Sequence, residues 1–356
     1  MTPTFLRWTS VRELWAAARR AARGKRHRAA VARFLFDLER HVVELERALR
    51  AGQWRPGRPT LRAIRDPKPR IIAVAPFADR VVHQAVCAFV GPRLESSLIH
   101  DTYACRVGRG THAALARASA WARSYRHFVH LDVRKLFPTI DHGLLLRLLE
   151  RAVPCEETLL VLRRILASGE DHATVRFHFP GDDLLTPLTR PQGLPIGSLV
   201  SQHFANAFLS PVDHLVKDRL RVRAYLRYMD DMLVFGDEAS VVRSWAERIE
   251  ERADRLRLRL HPWEVRPTRS GVNFLGFRIL PTEVRVRRSS VRRAQRMLRR
   301  AVETKEASLP ARLRAVFAHW EHADTYRLRT KVLSELGLLA GAERMPRDAE
   351  TFRGVE

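Results

Sequence analysis

Cysteine is nearly absent. The 356 residues hold only Cys87, Cys105 and Cys155, an odd number with none at metal-ligand spacing. That excludes a disulfide framework and a cysteine-based zinc site. The three read as small buried apolar residues. The 15 His are scattered without His-x-His pairs, so no structural zinc is expected. Long apolar runs are missing as well. No stretch reaches 18 residues and the N-terminus lacks a signal-peptide pattern, so a cytoplasmic chain with no membrane partner is expected. Acid is in short supply: 39 acidic residues face 64 basic ones, for a net charge of +25. So positive a chain is expected to meet a polyanion. Only six of those basic residues are Lys. Arginine suits bidentate phosphate contacts and base stacking. The bias also fits a GC-rich genome, so the inference rests on the charge itself. With 46% hydrophobic content, the chain can bury the cores of two or three domains.

Helical periodicity dominates the start. Residues 1–10 read as a short lead-in and Val11–Arg50 as two helices broken near Gly24. The basic cluster from Arg19 to Arg28 is a solvated face or a nucleic-acid face, and the net charge favours the second. Thr60–Arg65 and Arg70–Val74 predict a β-hairpin turning at Asp66-Pro67-Lys68-Pro69. Lys68 and Arg70 near its tip could lie over a triphosphate; read alone, they make an ordinary basic turn. Asp79–Phe89 predicts a helix with Asp79 at its N-cap, and Ala113–Tyr125 another. His127–Leu131 is a short apolar strand ended by Asp132. Open sheets place chemistry at such strand ends.

Helices are expected over His142–Ala152 and Pro154–Ser168, followed by a polar stretch over 169–191. Gly193–Gln202 is a Gly- and Ser-bearing loop that runs into a helix reaching Leu220. A helix over Ala239–Arg255, a strand over Arg257–Leu260 and a hairpin over Val272–Ile279 come next. From Val284 the composition becomes an arginine-loaded helical unit, with helices through Pro310–Phe317 and Tyr326–Leu339.

One stretch resists a purely structural reading: Arg227-Tyr228-Met229-Asp230-Asp231-Met232-Leu233-Val234-Phe235. Two adjacent carboxylates sit between apolar runs, and each needs a cation, a proton or a donor. A hairpin resolves the conflict. Ala224–Tyr228 and Met232–Phe235 become strands, and the acids occupy an exposed tip where both can reach one site. With Asp132 they make three carboxylates, enough for two divalent ions about 4 Å apart. Such a pair activates a 3′-hydroxyl and stabilises a leaving pyrophosphate. Mg²⁺ suits all-oxygen ligands.

These residues carry a resemblance. The runs Leu131–Asp141, Gly197–Leu209, Tyr228-Met229-Asp230-Asp231 and Asn273-Phe274-Leu275-Gly276-Phe277 stand in the order of the palm motifs of reverse transcriptases. The resemblance covers roughly residues 30–340. It implies an α+β right-hand polymerase, with a palm of antiparallel sheet plus helices. A basic helical extension (1–55) would precede the fingers (56–126). The palm would come in two parts (127–141 and 193–281) around insertion helices (142–192). A helical thumb (282–340) and a disordered tail (341–356) would follow. It implies catalytic Asp132, Asp230 and Asp231, binding two Mg²⁺ ions, or Mn²⁺, with help from the Val133 backbone carbonyl. Phe137 would exclude a 2′-hydroxyl, although it also reads as a core aromatic. Arg70, and less directly Lys68, would hold the incoming dNTP. Phe274, Leu275 and Gly276 would form the primer grip. The implied partners are a template RNA, the RNA/DNA duplex and dNTPs.

The motif before the Ala205-Asn206-Ala207-Phe208-Leu209 helix is narrower. Most bacterial relatives carry Gln-Gly-x-x-x-Ser-Pro there. This chain has Ile196-Gly197-Ser198-Leu199-Val200-Ser201-Gln202. Gln192-Gly193 lies four residues too early to be that motif. The Ile-Gly-x-x-x-Ser-Gln form resembles reverse transcriptases of diversity-generating retroelements, as do Gly193-Leu194-Pro195-Ile196-Gly197 and Ala323-Asp324-Thr325. That implies Ile196, Gly197 and Gln202 against the incoming nucleotide, errors at template adenines, and a small basic accessory protein. One departure stands out: Trp263 follows His261-Pro262 where relatives carry Lys, which leaves His261 or Arg266 as the proton donor to pyrophosphate. The alternatives are a defence-associated or retron-like reverse transcriptase and a catalytically silent RNA-binding protein.

Overall fold

The N-terminal helices fold as the apolar periodicity requires, with two departures. The computed structural model describes residues 1–64, 70–169 and 173–338, and of Arg70 the backbone only. It opens with α1 (Pro3–Trp8), α2 (Val11–Ala22), α3 (Ala29–Phe36) and α4 (Leu38–Arg50). The expected lead-in is thus helical. Thr2 caps α1 by accepting the Phe5 N–H, and Pro3 takes the first position, where its missing N–H leaves no bond unmade. The single helix expected up to Arg50 is two, because Asp37 leaves helical backbone at φ −123° and ψ 51°. The tail expected to be disordered over 341–356 lies outside the described residues.

The chain divides into two compact units. The first holds 1–108, 131–232 and 245–263; the second holds 109–130, 233–244 and 264 onward. In the first, α2 packs its small buried Ala17, Ala18 and Ala21 against α5 (Phe77–Ser96). Pro76 stands at the N-cap of α5, so the capping role expected for Asp79 is not observed. Asp79 is instead buried in the first turn, accepts the Gly57 N–H at 2.8 Å, and has its pKa raised by burial.

One turn further on, His83 is 7% exposed and burial pushes its pKa down to about 4. An unfolded histidine titrates near roughly 6.5. Below that pH the unfolded chain takes up a proton that the fold refuses. Stability is therefore full above pH 6.5 and falls as the pH drops toward 4, by about 3 kcal/mol in all. His83→Gln is expected to flatten this part of the curve in urea melts between pH 4 and 7. A variant with the native slope would refute the assignment.

Strands β1 (Thr60–Ile64) and β2 (Arg70–Val74) pair antiparallel, with Thr60 opposite Val74 and Ile64 opposite Arg70. The turn expected between them, with Lys68, lies outside the described residues. Strands β3 (His127–Asp132) and β5 (Asp231–Gly236) each begin in one unit and end in the other. With β4 (Tyr225–Tyr228) and β6 (Val265–Pro267) they make a sheet in the order β4-β5-β3-β6.

The first unit also holds α7 (Leu136–Thr139), α8 (His142–Ala152), α9 (Glu156–Ala167), α10 (Thr186–Thr189) and α11 (Leu199–His214). α11 packs on α5 and α8, burying Val200, Phe204, Phe208 and Val212. It does not continue to Leu220 as an ordinary helix: Leu215–Arg219 widens into a π-helix. The strand expected over Arg257–Leu260 is reduced to one bridge, Leu260 to Val133, because Arg257 takes φ +57°. Helix α12 (Ala239–Arg255) spans both units.

In the second unit, α6 (Thr111–Ser124) sets Trp121 against Phe235, which also meets Phe128 of β3. A three-stranded antiparallel sheet joins β7 (Val272–Phe274), β8 (Phe277–Ile279) and β9 (Val284–Val286). Helices α13 (Arg288–Glu303), α14 (Leu309–Trp320) and α15 (Tyr326–Glu335) follow. The unit expected to be helical from Val284 thus begins as a strand. Asp324 holds it there: its carboxylate accepts the Val284 N–H at 2.9 Å, and its own N–H donates to the Val284 carbonyl at 2.8 Å. Cys87 and Cys155 are buried as expected; Cys105 is exposed, on a turn with φ +57°. No helix among the described residues is long and apolar enough to cross a membrane.

Candidate active site

The β4–β5 turn passes through Met229 and Asp230, and Met229 takes φ +57°. Left-handed backbone is unfavourable for a side chain of that size, so the turn must be held. Arg227 holds it. Its guanidinium is fully buried, and Nη1 donates to the Met229 carbonyl at 3.2 Å and to Asn206 Oδ1 at 3.0 Å. On its other side Nη2 donates to Asp213 Oδ2 at 2.6 Å and Nε to Asp213 Oδ1 at 2.8 Å. The Asp213 carboxylate also accepts from Tyr225 Oη at 2.7 Å and Thr102 Oγ1 at 3.2 Å. A buried ion pair persists only when its remaining donors and acceptors are also met, and here they are. Burial pulls the Arg227 pKa down, but Asp213 carries it above its ordinary value. The Tyr225 phenol is pushed well up, by burial first and then by Asp213.

Asp132 ends β3, and the next residue meets the turn. The Val133 N–H donates to the Asp230 carbonyl at 3.3 Å. On the opposite edge, Arg134 N–H donates to the Arg259 carbonyl at 2.7 Å and His261 N–H to the Asp132 carbonyl at 2.8 Å. Those two bonds flank Val133, so its own N–H and carbonyl face the hairpin. Asp132, Asp230 and Asp231 are all half-exposed, on backbone segments that touch. Among the described residues, no three His, Cys, Asp or Glu side chains already stand at metal-ligand spacing. The donor set nevertheless fits a hard divalent cation: three carboxylates and a peptide carbonyl, half-open to water and substrate.

His261 also reaches this place, with Nε2 4.0 Å from Asp132 Oδ2. Trp263 turns away and donates its indole N–H to Glu250 at 3.1 Å. Arg266 lies in β6 and is ion-paired with Glu264. Of the proton-donor candidates, His261 is the one beside Asp132.

Beside α7, the loop before α11 is fastened at three points. Gly193 and Leu194 N–H groups donate to the carbonyls of Ile140 and Phe137, at 2.9 and 2.8 Å. The Ile196 carbonyl accepts the Ala73 N–H of β2 at 3.2 Å. Gly197 takes φ +99°, and a Cβ there would stand 2.7 Å from Ile72 Cγ2, so no larger residue fits. Ile196 is half-buried, as are Phe137 in α7 and Gln202 in the first turn of α11. Arg70 begins β2, the strand on which this loop rests. Gln192 is buried, and its Nε2 donates to the carbonyls of Pro138 and Val175. It serves structure, in keeping with its displacement from the motif.

The Phe274-Leu275-Gly276 turn belongs to the second unit and joins β7 to β8. Phe274 is buried, Leu275 and Gly276 take φ of 48° and 90°, and the Gly276 carbonyl accepts the Arg287 N–H at 3.0 Å. Sequence reasoning passed over Arg227, Asp213, Asn206 and Thr102. The available signal was charge out of place: Arg227 in a strand and Asp213 in a helix, neither holding another Asp, Glu, Lys or Arg.

A family model described as Reverse transcriptase (RNA-dependent DNA polymerase) matches residues 64–279. Over 166 residues the chain is 21% identical to a Saccharomyces cerevisiae protein named for intron 1 of COX1/OXI3. That stretch is 46% of this chain and 19% of the yeast protein, so the chain spans less than a fifth of this relative. Among solved structures, apo telomerase from Candida tropicalis superposes with a TM-score of 0.50 at 10% identity, covering 78% of this chain and 59% of that one. Telomerase from Candida albicans in complex with a TWJ fragment of telomeric RNA gives 0.49 at 11%, covering 81% and 56%. The first of these likenesses speaks for the fold alone: helices and antiparallel sheets of a right-hand polymerase.

Proposed function

This chain belongs to the reverse transcriptase family, and on that premise we propose that it copies a template RNA into cDNA by two-metal nucleotidyl transfer within a diversity-generating retroelement. The observation that carries the chemistry is the bond from Val133 N–H to the Asp230 carbonyl, which seats the hairpin turn beside the end of β3. Asp132, Asp230, Asp231 and the Val133 carbonyl would hold two Mg²⁺ ions, which when bound activate the primer 3′-hydroxyl and neutralise charge on the leaving pyrophosphate. In this reading Asp132 and Asp230 supply the anionic charge, and Arg227 keeps the turn in its strained form. Phe137 walls the sugar and excludes a 2′-hydroxyl. Lys68 and Arg70 bind the triphosphate. His261, beside Asp132, delivers a proton to pyrophosphate. Residues 56–126 act as fingers, 127–141 and 193–281 as palm, with Phe274, Leu275 and Gly276 gripping the primer, and 282–340 act as thumb on the duplex backbone. A small basic accessory protein assists RNA binding.

The retroelement assignment rests on Ile196. Its carbonyl is tied to β2 and its side chain is half-buried, three residues before α11 begins. A branched apolar side chain cannot donate a hydrogen bond to an incoming nucleotide. Mispaired geometry is therefore policed less tightly than by a glutamine. Purified enzyme copying an adenine-rich RNA is expected to yield cDNA with errors concentrated opposite adenine. Ile196→Gln is expected to lower that error rate by about tenfold, the worth of one discriminating hydrogen bond of roughly 1.4 kcal/mol. Identical error spectra for the two enzymes would remove the assignment and leave the polymerase reading untouched.

A further inference from the structure

A cleft of about 360 Å³ opens on the first unit between α12 and the π-helical end of α11. Its two acids are already matched: Asp218 to His214 at 2.7 Å and Glu251 to Arg248 at 3.2 Å. Arg219, Arg252 and Arg255 also line it, and among the described residues none of the three has an ion-pair partner. Arg248, Arg252 and Arg255 recur at i, i+4 and i+7, so they share one face of α12. The Arg252 pKa is held below its ordinary value, by burial first and then by Arg255 and Arg219. Like charges gathered in this way favour an anion between them.

The π-helix is a second sign. Such widened turns are uncommon and are frequent at functional sites, and this one ends on Arg219 at the cleft wall. The cleft also faces away from the catalytic hairpin. Asp213, which bonds Arg227, lies about half a turn around the helix from Pro211, Leu215 and Asp218, which line the cleft.

We propose that this cleft binds phosphodiester groups of RNA, on a part of the molecule outside the catalytic site. The inference rests on the family reading, which puts RNA in the complex. Guanidinium forks match phosphate oxygens bidentately. An acidic protein is the lesser fit, because the lining offers no aromatic and only Pro211 and Leu215 as apolar anchors, while protein interfaces draw their affinity from such anchors.

The test uses the full chain. Arg252→Ala/Arg255→Ala is compared with the native protein and with Arg147→Ala/Arg151→Ala, which removes two exposed arginines of α8. Each is titrated against salt on a long structured RNA, on a short primer–template duplex and on polyglutamate. With the long RNA, the cleft variant is expected to shift the slope of log affinity against log salt by about 1.4 to 1.8, two phosphate contacts' worth. Its binding and extension of the short duplex stay native, and the α8 variant keeps the native slope. Equal slope changes in both variants would mean bulk charge and overturn the proposal. Equal losses on long and short substrates would place the arginines in the catalytic cleft and also overturn it. A variant that loses polyglutamate binding while keeping the native RNA slope would assign the cleft to an acidic protein. In all three cases extension of the short duplex by the native enzyme still reports the polymerase activity independently.

Discussion

Asp230→Asn is expected to abolish primer extension on an RNA template. The loss should reach at least roughly a thousandfold, about 4 kcal/mol of barrier. Asparagine keeps the volume of the side chain and leaves the Asp230 carbonyl, which receives the Val133 N–H, in place. What it removes is one negative charge at a half-exposed position. Hard divalent cations bind carboxylates far better than amides, and the reaction depends on charge neutralised at the moment of bond exchange. Thermal stability and affinity for duplex should stay within scatter, because the substitution is isosteric and the backbone bond that seats the turn remains. Extension by Asp230→Asn at near-native rates in saturating Mg²⁺ would end the two-metal reading. Failure of the native chain itself to extend a primer would instead favour a protein that holds RNA on a polymerase fold without copying it.

Arg227→Met should be the most destabilising single change near the site, at about 3–5 kcal/mol, because it leaves the Asp213 carboxylate buried without its cation. Loss of fold and loss of position must then be separated. The double variant Arg227→Met/Asp213→Leu replaces the pair with apolar groups, and buried pairs exchanged in that way commonly recover stability. Chemical denaturation should show a partial recovery, because Tyr225 and Thr102 lose the carboxylate that accepts from them. Activity should stay at least about tenfold down, because the Met229 carbonyl has lost a charged donor worth roughly 1.5–3 kcal/mol in a strained turn. A double variant with both native stability and native extension would reduce Arg227 to a core ion pair with no part in positioning Asp230.

Much of this protein was legible in its sequence because its signals are local. Helices α8 and α12 coincide with the ranges that their apolar periodicity predicts, and the β4–β5 and β7–β8 hairpins fall where strand-formers bracket a turn. Local pattern failed where a distant residue decided. Arg257–Leu260 reads as a strand, yet left-handed backbone at Arg257 reduces it to a single bridge. Val284–Val286 reads as the start of a helix, yet Asp324, forty residues away, holds it as a strand. Asp79 has the composition of an N-cap, yet the Gly57 N–H and burial claim it.

The same division runs through the site. Adjacent acids between apolar runs determined by themselves that a turn falls here, since burying both charges would cost too much; the turn expected to hold both acids takes Met229 and Asp230, and Asp231 opens β5. The order of four motifs determined the family. Only the tertiary structure decided what steadies that turn: Arg227, Asp213 and Asn206 from neighbouring elements, with Thr102 brought in from more than a hundred residues away. It also decided that His261, rather than Arg266, lies beside Asp132, and that four arginines share a cleft turned away from the hairpin. The physical reason is the same throughout. Periodicity and turn chemistry act between neighbours in the chain, whereas a buried charge finds its partner through space.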